Sequence, residues 1–157
     1  MRLNLLLILI FCVSLNAQTY TIVEGNFTWT EAKLDAEARG GRLAVLNTQE
    51  KNDAANTYLE SVGVWPHMWI GLNKDINGTW SWIEGSPLSF SDWSPGEPNG
   101  SGSYGLKYGS DGGQALKWDD QPNSSYGTVD YLLETPFYVT LTGRDDDGDG
   151  LDNALEN

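Results

Sequence analysis

Two short acidic clusters, joined by a loop rich in glycine and serine, constrain this chain more than any other feature. The first carries Glu97 and Asn99 on either side of a proline, and the second carries Asp119 and Asp120 after a tryptophan. Carboxylate and amide oxygens are the ligands that a hard cation such as Ca²⁺ prefers. Carboxylates brought together without a cation repel one another and take up protons. The pattern therefore predicts one calcium site, assembled from two passes of the chain, with these four residues as ligands.

Composition narrows the class of protein. The net charge of the 157-residue chain is −13, which disfavours nucleic acid as a partner because a phosphate backbone repels an acidic surface. The length suits one domain with a substantial core and short appendages. Seven tryptophans, seven tyrosines and 18 glycines are more typical of a loop-rich extracellular module than of a helical cytosolic enzyme.

Residues 1–17 have the pattern of a secretory signal peptide. Arg2 precedes an apolar run over residues 3–15, and Ala17 ends a suitable cleavage site. The run is too short to span a membrane comfortably, so we expect a secreted, extracellular protein with no membrane span in the mature chain. The only cysteine, Cys12, leaves with this segment. The mature chain therefore lacks disulfides and is expected to be held together by packing and by metal.

The first half of the mature chain predicts two helices. The first begins after Thr28, which forms a capping-box pattern with Glu31, and it ends at two glycines, 40 and 41. The second begins near Asn47 or Thr48 and stops at Gly63. The residues expected on the apolar faces are Trp29, Ala32 and Ala36 in the first helix, and Ala55, Tyr58, Leu59 and Val62 in the second.

Short runs of alternating or continuous apolar residues predict strands. They cover residues 20–24, 43–46, 68–72, 80–83, 106–108, 115–118 and 129–133. Two early helices followed by several short strands indicate an α+β domain. Residues 94–114 read as a long loop without periodicity, and loops of that length are usually functional or disordered.

The order of these pieces resembles the C-type lectin domain family over residues 20 to 135. The matching pieces are the Trp29/Ala32 helix, Gly40-Gly41-Arg42-Leu43-Ala44, Trp69-Ile70-Gly71-Leu72, Trp80-Ser81-Trp82, Trp93 with Gly96-Glu97-Pro98-Asn99, and Trp118-Asp119-Asp120. The resemblance implies two helices packed on short antiparallel sheets, with a long calcium-binding loop and a cis Pro98. It also implies that Glu97, Asn99, Asp119 and Asp120 bind Ca²⁺ and contact sugar hydroxyls. A Glu-Pro-Asn motif accompanies mannose-, glucose- or fucose-type sugars in this family.

The chain departs from the family pattern in three ways. The family's disulfide positions at the ends of the domain fall at Ala36 and Leu133, so this is a disulfide-free variant in which apolar packing is expected instead. Residues 102–104 contain no carboxylate where the family supplies one more cation ligand. Asp119 stands where the family usually has asparagine, and a carboxylate cannot donate a hydrogen bond to a hydroxyl.

A second cation motif follows an expected linker at residues 136–144. Residues 145–157 resemble the calcium loop of an EF-hand and the acidic repeats of thrombospondin type 3. The expected ligands are Asp145, Asp147, Asp149, the Leu151 carbonyl, Asp152 and Glu156. The helix that would complete an EF-hand is not part of this sequence, so the motif is expected to be half a unit.

These patterns together predict a non-enzymatic, calcium-dependent carbohydrate-binding domain at residues 18–135, acting in adhesion or recognition. One alternative is a lectin-like module that binds protein and has lost sugar affinity. A carboxylate-pair glycoside hydrolase is the enzymatic alternative, since 22 acidic residues always supply pairs. No zinc motif, nucleophile elbow or phosphate loop supports catalysis, and the single histidine, His67, is expected to be structural.

Overall fold

The computed structural model describes residues 18–63, 65–110, 113–124 and 129–136. Residues Gln18–Pro136 form one compact unit. The predicted signal peptide, residues 137–144 of the predicted linker and the acidic motif lie outside the described residues. The same holds for the six ligands predicted in that motif, which are Asp145, Asp147, Asp149, Leu151, Asp152 and Glu156.

Two helices and seven strands make up the described part of the chain. They are β1 (Gln18–Val23), α1 (Trp29–Ala38), β2 (Arg42–Leu43), α2 (Gln49–Val62), β3 (Met68–Lys74), β4 (Trp80–Trp82), β5 (Tyr104–Lys107), β6 (Trp118–Gln121) and β7 (Asp130–Pro136). The main strand order is β1-β7-β3-β5-β6, with β2 paired to β7 and β4 paired to β3. The β3–β7 pair is parallel and the other pairs are antiparallel. The α+β prediction is confirmed, although the strands form one mixed sheet rather than separate antiparallel sheets.

Both helices begin at the predicted caps. The Thr28 hydroxyl accepts a hydrogen bond from the Glu31 amide at 3.3 Å, and the Glu31 carboxylate accepts one from the Thr28 amide at 2.8 Å. Thr48 caps α2 by accepting from the Lys51 amide at 3.3 Å. These bonds satisfy amides that the first turn of a helix leaves without partners.

Alternation along β3 places one helix on each face of the sheet. Met68, Ile70 and Leu72 belong to a core cluster that includes α2, whereas Trp69 belongs to a second cluster that includes α1. This division follows from the two-residue repeat of a strand, which sends successive side chains to opposite faces. Because β3 has buried side chains on both faces, it lies at the centre of the fold.

The volume of the missing terminal disulfide is filled by apolar side chains. Ala36 is 0% exposed and Leu133 is 7% exposed, and both belong to the core cluster on the α1 side. The expectation that both residues are buried together is confirmed. Packing between α1 and β7 therefore replaces the covalent link that the family usually has there.

The boundaries of the strands beside the long loop differ from prediction. A strand over residues 115–118 is wrong, because Leu116 has a φ of 71°, in the left-handed region that no strand uses. β6 begins at Trp118 instead, and β5 begins two residues before the predicted strand at 106–108. Asp119 and Asp120 consequently lie inside β6.

A lysine is buried at the end of β5. The Lys107 side chain is 0% exposed, and its Nζ donates to the Leu116 carbonyl and, at 3.2 Å, to Oδ1 of Asn52 in α2. Burial lowers the pKa of Lys107 from its ordinary value of 10.5 to about 7. The folded protein therefore releases this proton at a lower pH than the unfolded chain does.

We expect Lys107 to make the protein more stable as the pH rises from 7.5 to 9.5. In that range the unfolded chain keeps the Lys107 proton and the folded protein loses it, so the free energy of unfolding rises by up to about 1.4 kcal/mol per pH unit. Urea unfolding in chelator, compared between wild type and Lys107→Met, measures this contribution. Equal pH dependence in the two proteins would show that Lys107 does not titrate in this range.

Candidate cation site

The two acidic clusters meet at the free edge of the sheet. β6 is the last strand in the sheet order, and the segment entering the long loop runs along its open side. There the Trp118 amide donates to the Asp92 carbonyl at 2.9 Å, and the Ser94 amide donates to the Trp118 carbonyl at 2.8 Å. These bonds fix the start of the loop next to the strand that carries Asp119 and Asp120.

Three carboxylates converge at this edge. Glu97, Asp119 and Asp120 each offer one oxygen within 4.8 Å of the others, and they form the one such group of His, Cys, Asp or Glu residues found in the described part of the chain. Asp119 is 3% exposed and Asp120 is 0% exposed, whereas Glu97 is half-buried. Asp119 and Asp120 thus form a buried inner pair, and Glu97 is a more accessible outer member.

Asn99 joins the carboxylates through its backbone and its side chain. The Asn99 amide donates to Oε2 of Glu97 at 2.9 Å and to Oδ1 of Asp120 at 2.7 Å. Its side-chain Nδ2 donates to Oε1 of Glu97 at 3.0 Å. The peptide bond between Glu97 and Pro98 is cis, as the resemblance implies. The structure therefore brings all four predicted residues together.

Backbone amides of the loop hold the Asp120 carboxylate in place. Its Oδ1 accepts from the amides of Asn99 and, at 3.3 Å, Gly100, while its Oδ2 accepts from the Gly102 amide at 2.9 Å. A Cβ on Gly102 would lie 1.9 Å from the carbonyl carbon of Gln121, so a glycine is required for this approach. Asp120 therefore ties the loop to β6 as well as facing the carboxylate group.

Asp119 has one bonded oxygen and one oxygen without a partner. Its Oδ2 accepts from the Tyr108 hydroxyl at 2.8 Å and from Nε2 of Gln121 at 2.5 Å. Its Oδ1 is buried and has no hydrogen-bond partner among the described residues. A buried carboxylate oxygen without a donor is costly, and a cation ligated there would remove that cost. The residues present thus fit a hard divalent cation.

Tyr108 and Gln121 were not predicted from the sequence as parts of the site. Leu106 pairs with Asp119 across β5 and β6, so Tyr108 is a diagonal neighbour of Asp119, and Gln121 follows Asp119 on the same face. Correct strand boundaries would have identified both residues. The predicted strands at 106–108 and 115–118 left Asp119 and Gln121 outside any strand, so their relation to Tyr108 was not predicted.

Burial and neighbouring negative charge raise the pKa values of Glu97 and of the Tyr108 hydroxyl. Loss of solvent raises the pKa of Glu97, the negative charge of Asp119 raises it further, and the bond from the Asn99 amide opposes the change. The pKa of the Tyr108 hydroxyl is also raised, first by burial and then by its hydrogen bond to Asp119. The raised pKa of Glu97 shows that its position favours neutralisation of its charge.

Residues 102–104, where the family has an additional acidic ligand, form main-chain hydrogen bonds instead. The Ser103 amide donates to the Gln121 carbonyl at 3.2 Å, and its carbonyl accepts from the Lys74 amide at 2.8 Å. Residues 102–104 therefore reach the site through main-chain bonds and add no carboxylate to it.

A cavity of about 250 Å³ lies beside Asp119. It is lined by His67, Trp69, Leu106, Tyr108, Asp119, Gln121, Ser124 and Val129. Nδ1 of His67 accepts a hydrogen bond from the Gly109 amide at 2.8 Å, and its ring packs edge-on against Tyr108. His67 thus has the structural contacts that were expected of it.

Comparison with known proteins agrees with the fold. A family model described as the lectin C-type domain matches residues 26–129. Human C-type lectin domain family 10 member A is 30% identical over 94 residues, which are 59% of this chain and 28% of that protein. The chain thus spans little more than a quarter of that curated relative.

Two solved structures show how closely the fold is shared. The cow C-type carbohydrate-recognition domain of CD23, crystallised in the presence of a GlcNAc2Man3 oligosaccharide, has a TM-score of 0.63 at 28% identity and covers 77% of this chain and 89% of that chain. The Ca²⁺-independent C-type lectin SPL-2 from Saxidomus purpuratus has a TM-score of 0.64 at 23% identity and covers 74% of this chain and 85% of that chain.

No helix among the described residues is long and apolar enough to cross a membrane.

The family model covers well over half of the chain, and the arrangement of helices, sheet and long loop agrees with the solved relatives. The chain therefore belongs to the C-type lectin domain family.

Proposed function

We propose that residues 18–135 form an exported, calcium-dependent carbohydrate-binding domain that prefers mannose-, glucose- or fucose-type sugars and acts in adhesion or recognition. The observation that carries this proposal is the convergence of Glu97, Asp119 and Asp120, with an oxygen of Asp119 buried and without a donor. Carbohydrate binding is also supported by the family and by a relative crystallised with an oligosaccharide. Export is supported by the pattern of residues 1–17.

The differing exposures of the four residues suggest a division of roles. The inner pair, Asp119 and Asp120, would hold the ion, because almost none of their surface reaches solvent. Glu97 is half-buried and Asn99 is exposed, so this outer pair would contact both the ion and the sugar. Ca²⁺ supplies a positive centre that binds the oxygens of vicinal hydroxyls, while a carboxylate accepts from a hydroxyl and an amide donates to it.

A lectin-like module that binds protein is the second candidate. The observation that favours it is the absence of a carboxylate at residues 102–104, which leaves the group with one ligand fewer than the family pattern, although Asp119 in place of asparagine keeps the number of carboxylates the same. A Ca²⁺-independent lectin with the same fold also shows that the fold alone does not decide calcium dependence.

The acidic segment at residues 145–157 is proposed as a separate calcium motif on the strength of its sequence.

Catalysis is not part of the proposal. The family and the relatives named above are lectin and receptor domains, which are not enzymes. The glycoside hydrolase alternative is therefore not retained.

Sugar binding by the full chain, measured with and without chelator, tests the proposal. We expect mannose-type ligands to bind in Ca²⁺ and to be released by chelator, because the ion contributes directly to the sugar contact. Sugar binding reports on this site alone, so ion bound at residues 145–157 does not confuse the result. Binding that is unaffected by chelator would contradict calcium dependence, and no binding across a glycan array would favour the protein-binding module.

Exchange of donor and acceptor tests the outer pair. In Glu97→Gln with Asn99→Asp, the residue that accepts from the sugar and the residue that donates to it change places, while one carboxylate remains for the ion. The resemblance associates this reversed order with galactose-type sugars, so preference should move from mannose towards galactose. Titration of both sugars at saturating Ca²⁺ measures the change. An unchanged mannose affinity would place the sugar elsewhere on the domain.

A further inference from the structure

We propose that Lys107 is a positioning residue of the cation site, and that its side chain holds the turn at Leu116 from which β6 begins. The inference rests on the proposed function for its effect on ion binding. Its effect on the turn itself can be measured without any ion.

The turn at Leu116 has a backbone conformation that its sequence does not favour. Among the described residues, Leu116 is the only non-glycine with φ in the left-handed region. Such a conformation is strained for a residue with a Cβ and persists only where neighbouring contacts enforce it. A leucine at this position therefore needs something to hold it.

Lys107 supplies a side-chain contact to that turn. Its Nζ donates to the Leu116 carbonyl and to Oδ1 of Asn52, so it connects the turn to α2 through the interior. The turn also has hydrogen bonds between backbone groups, among them those from the Leu116 amide to the Tyr108 carbonyl at 3.3 Å and from the Lys117 amide to the Gln114 carbonyl at 3.0 Å. Those bonds join neighbouring parts of the backbone, whereas the lysine also connects the turn to Asn52 in α2.

The contact extends into a chain of polar side chains at the base of the long loop. Nδ2 of Asn52 donates to Oδ2 of Asp92 at 2.9 Å, and Nζ of Lys117 pairs with Oδ1 of Asp92 at 2.5 Å. Asp92 lies just before the long loop and Lys117 lies just after it. This row of polar side chains therefore joins both ends of the loop to α2. Lys107 and Asn52 are its buried members, at 0% and 1% exposure.

The position of the turn determines where the inner ligands fall. Lys107 pairs with Trp118, Leu106 with Asp119, and Gly105 with Asp120. A shift of one residue in this register would move each side chain of β6 to the opposite face of the sheet. Fixing Leu116, three residues before Asp119, therefore selects which carboxylates face Glu97.

Two variants separate positioning from a general contribution to stability. Lys107→Met keeps a long side chain of similar volume but cannot donate to Leu116. Lys107→Met with Leu116→Gly adds a residue that adopts positive φ without the steric cost, so it should rescue the turn if holding Leu116 is what Lys107 does. Leu116→Gly alone is the control for the loss of the leucine side chain.

The first measurement is amide hydrogen exchange in chelator. We expect Lys107→Met to speed exchange of the amides of residues 116–120 about tenfold, with little change in β7, and the double variant to recover most of that protection. Unchanged exchange over residues 116–120, or equal acceleration in β7, would overturn the inference. This measurement needs no ion, so it decides the inference even if the protein binds no calcium.

The second measurement is a calcium titration followed through the amide signals of Asp119 and Asp120, which excludes ion bound elsewhere in the chain. We expect about a tenfold weaker affinity in Lys107→Met and recovery in the double variant. Equal affinity in wild type and Lys107→Met would overturn the positioning role. Absence of any response in the wild type would contradict the proposed function instead, and the exchange data would still report on the turn.

Discussion

Replacing Asp120 with alanine is expected to weaken calcium binding at least about 100-fold, which is about 2.8 kcal/mol. Asp120 is a buried member of the carboxylate group, and it also accepts hydrogen bonds from the amides of Asn99, Gly100 and Gly102. Alanine removes a charged ligand and releases the loop segment that carries Asn99. Titration of calcium, followed through amide signals of β6, measures the loss, and calcium-dependent sugar binding should disappear with it.

Asp75→Ala is the matched control. Asp75 also accepts from two backbone amides, those of Asn77 at 2.9 Å and Thr79 at 2.8 Å, in the exposed turn between β3 and β4. Its loss removes the same kind of turn contact without touching the carboxylate group. Calcium affinity should therefore be unchanged in the control. Similar affinities for Asp120→Ala and wild type would mean that the ion, if bound, lies elsewhere.

Replacing Trp118 with alanine is expected to lower the free energy of unfolding by about 3–5 kcal/mol, a large share of the stability of a domain of this size. Trp118 is 0% exposed and packs edge-on against three aromatic rings. The rings belong to Trp82 at 5.5 Å, Phe90 at 5.7 Å and Trp93 at 5.8 Å between centroids. Alanine would leave a cavity among rings that cannot all move inward. Urea unfolding in chelator measures the change.

Trp118→Phe provides the comparison. The indole Nε1 of Trp118 is buried and has no hydrogen-bond partner among the described residues, so phenylalanine loses volume but also removes an unsatisfied donor. The cost should be clearly smaller than that of alanine. If both variants lost the same free energy, a specific interaction of the indole, rather than ring packing, would explain the role of Trp118.

Local signals made the helices predictable from the sequence. The cap formed by Thr28 and Glu31, and the buried face of Ala32 and Ala36, depend on residues within one or two helical turns. Such interactions involve residues that are close in the sequence, so they can be predicted without knowledge of the rest of the fold. The pairing of the two acidic clusters came from the order of motifs along the chain, and the structure brings those clusters together.

Features that depend on distant contacts could not be predicted in the same way. Leucine does not favour positive φ, so nothing in the local sequence places a left-handed turn at Leu116. Lysine is almost never fully buried, so its residue type predicts an exposed Lys107, whereas the structure buries it. The roles of Tyr108 and Gln121 depend on the register of β6, which that turn sets. Each of these features depends on a contact between elements that are distant in the sequence.

The position of β6 at the end of the sheet has a consequence for aggregation. An open strand edge invites pairing with another chain, and proteins avoid this by covering the edge or by placing charges along it. Here the segment around Asp92 and Ser94 bonds to Trp118, and the Ser101 hydroxyl donates to the Asp120 carbonyl. The loop that carries Glu97 is thus also the cover that keeps copies of this protein from adding to one another's sheets. Shortening of this loop would therefore promote self-association, because it removes the segment that covers the edge of β6.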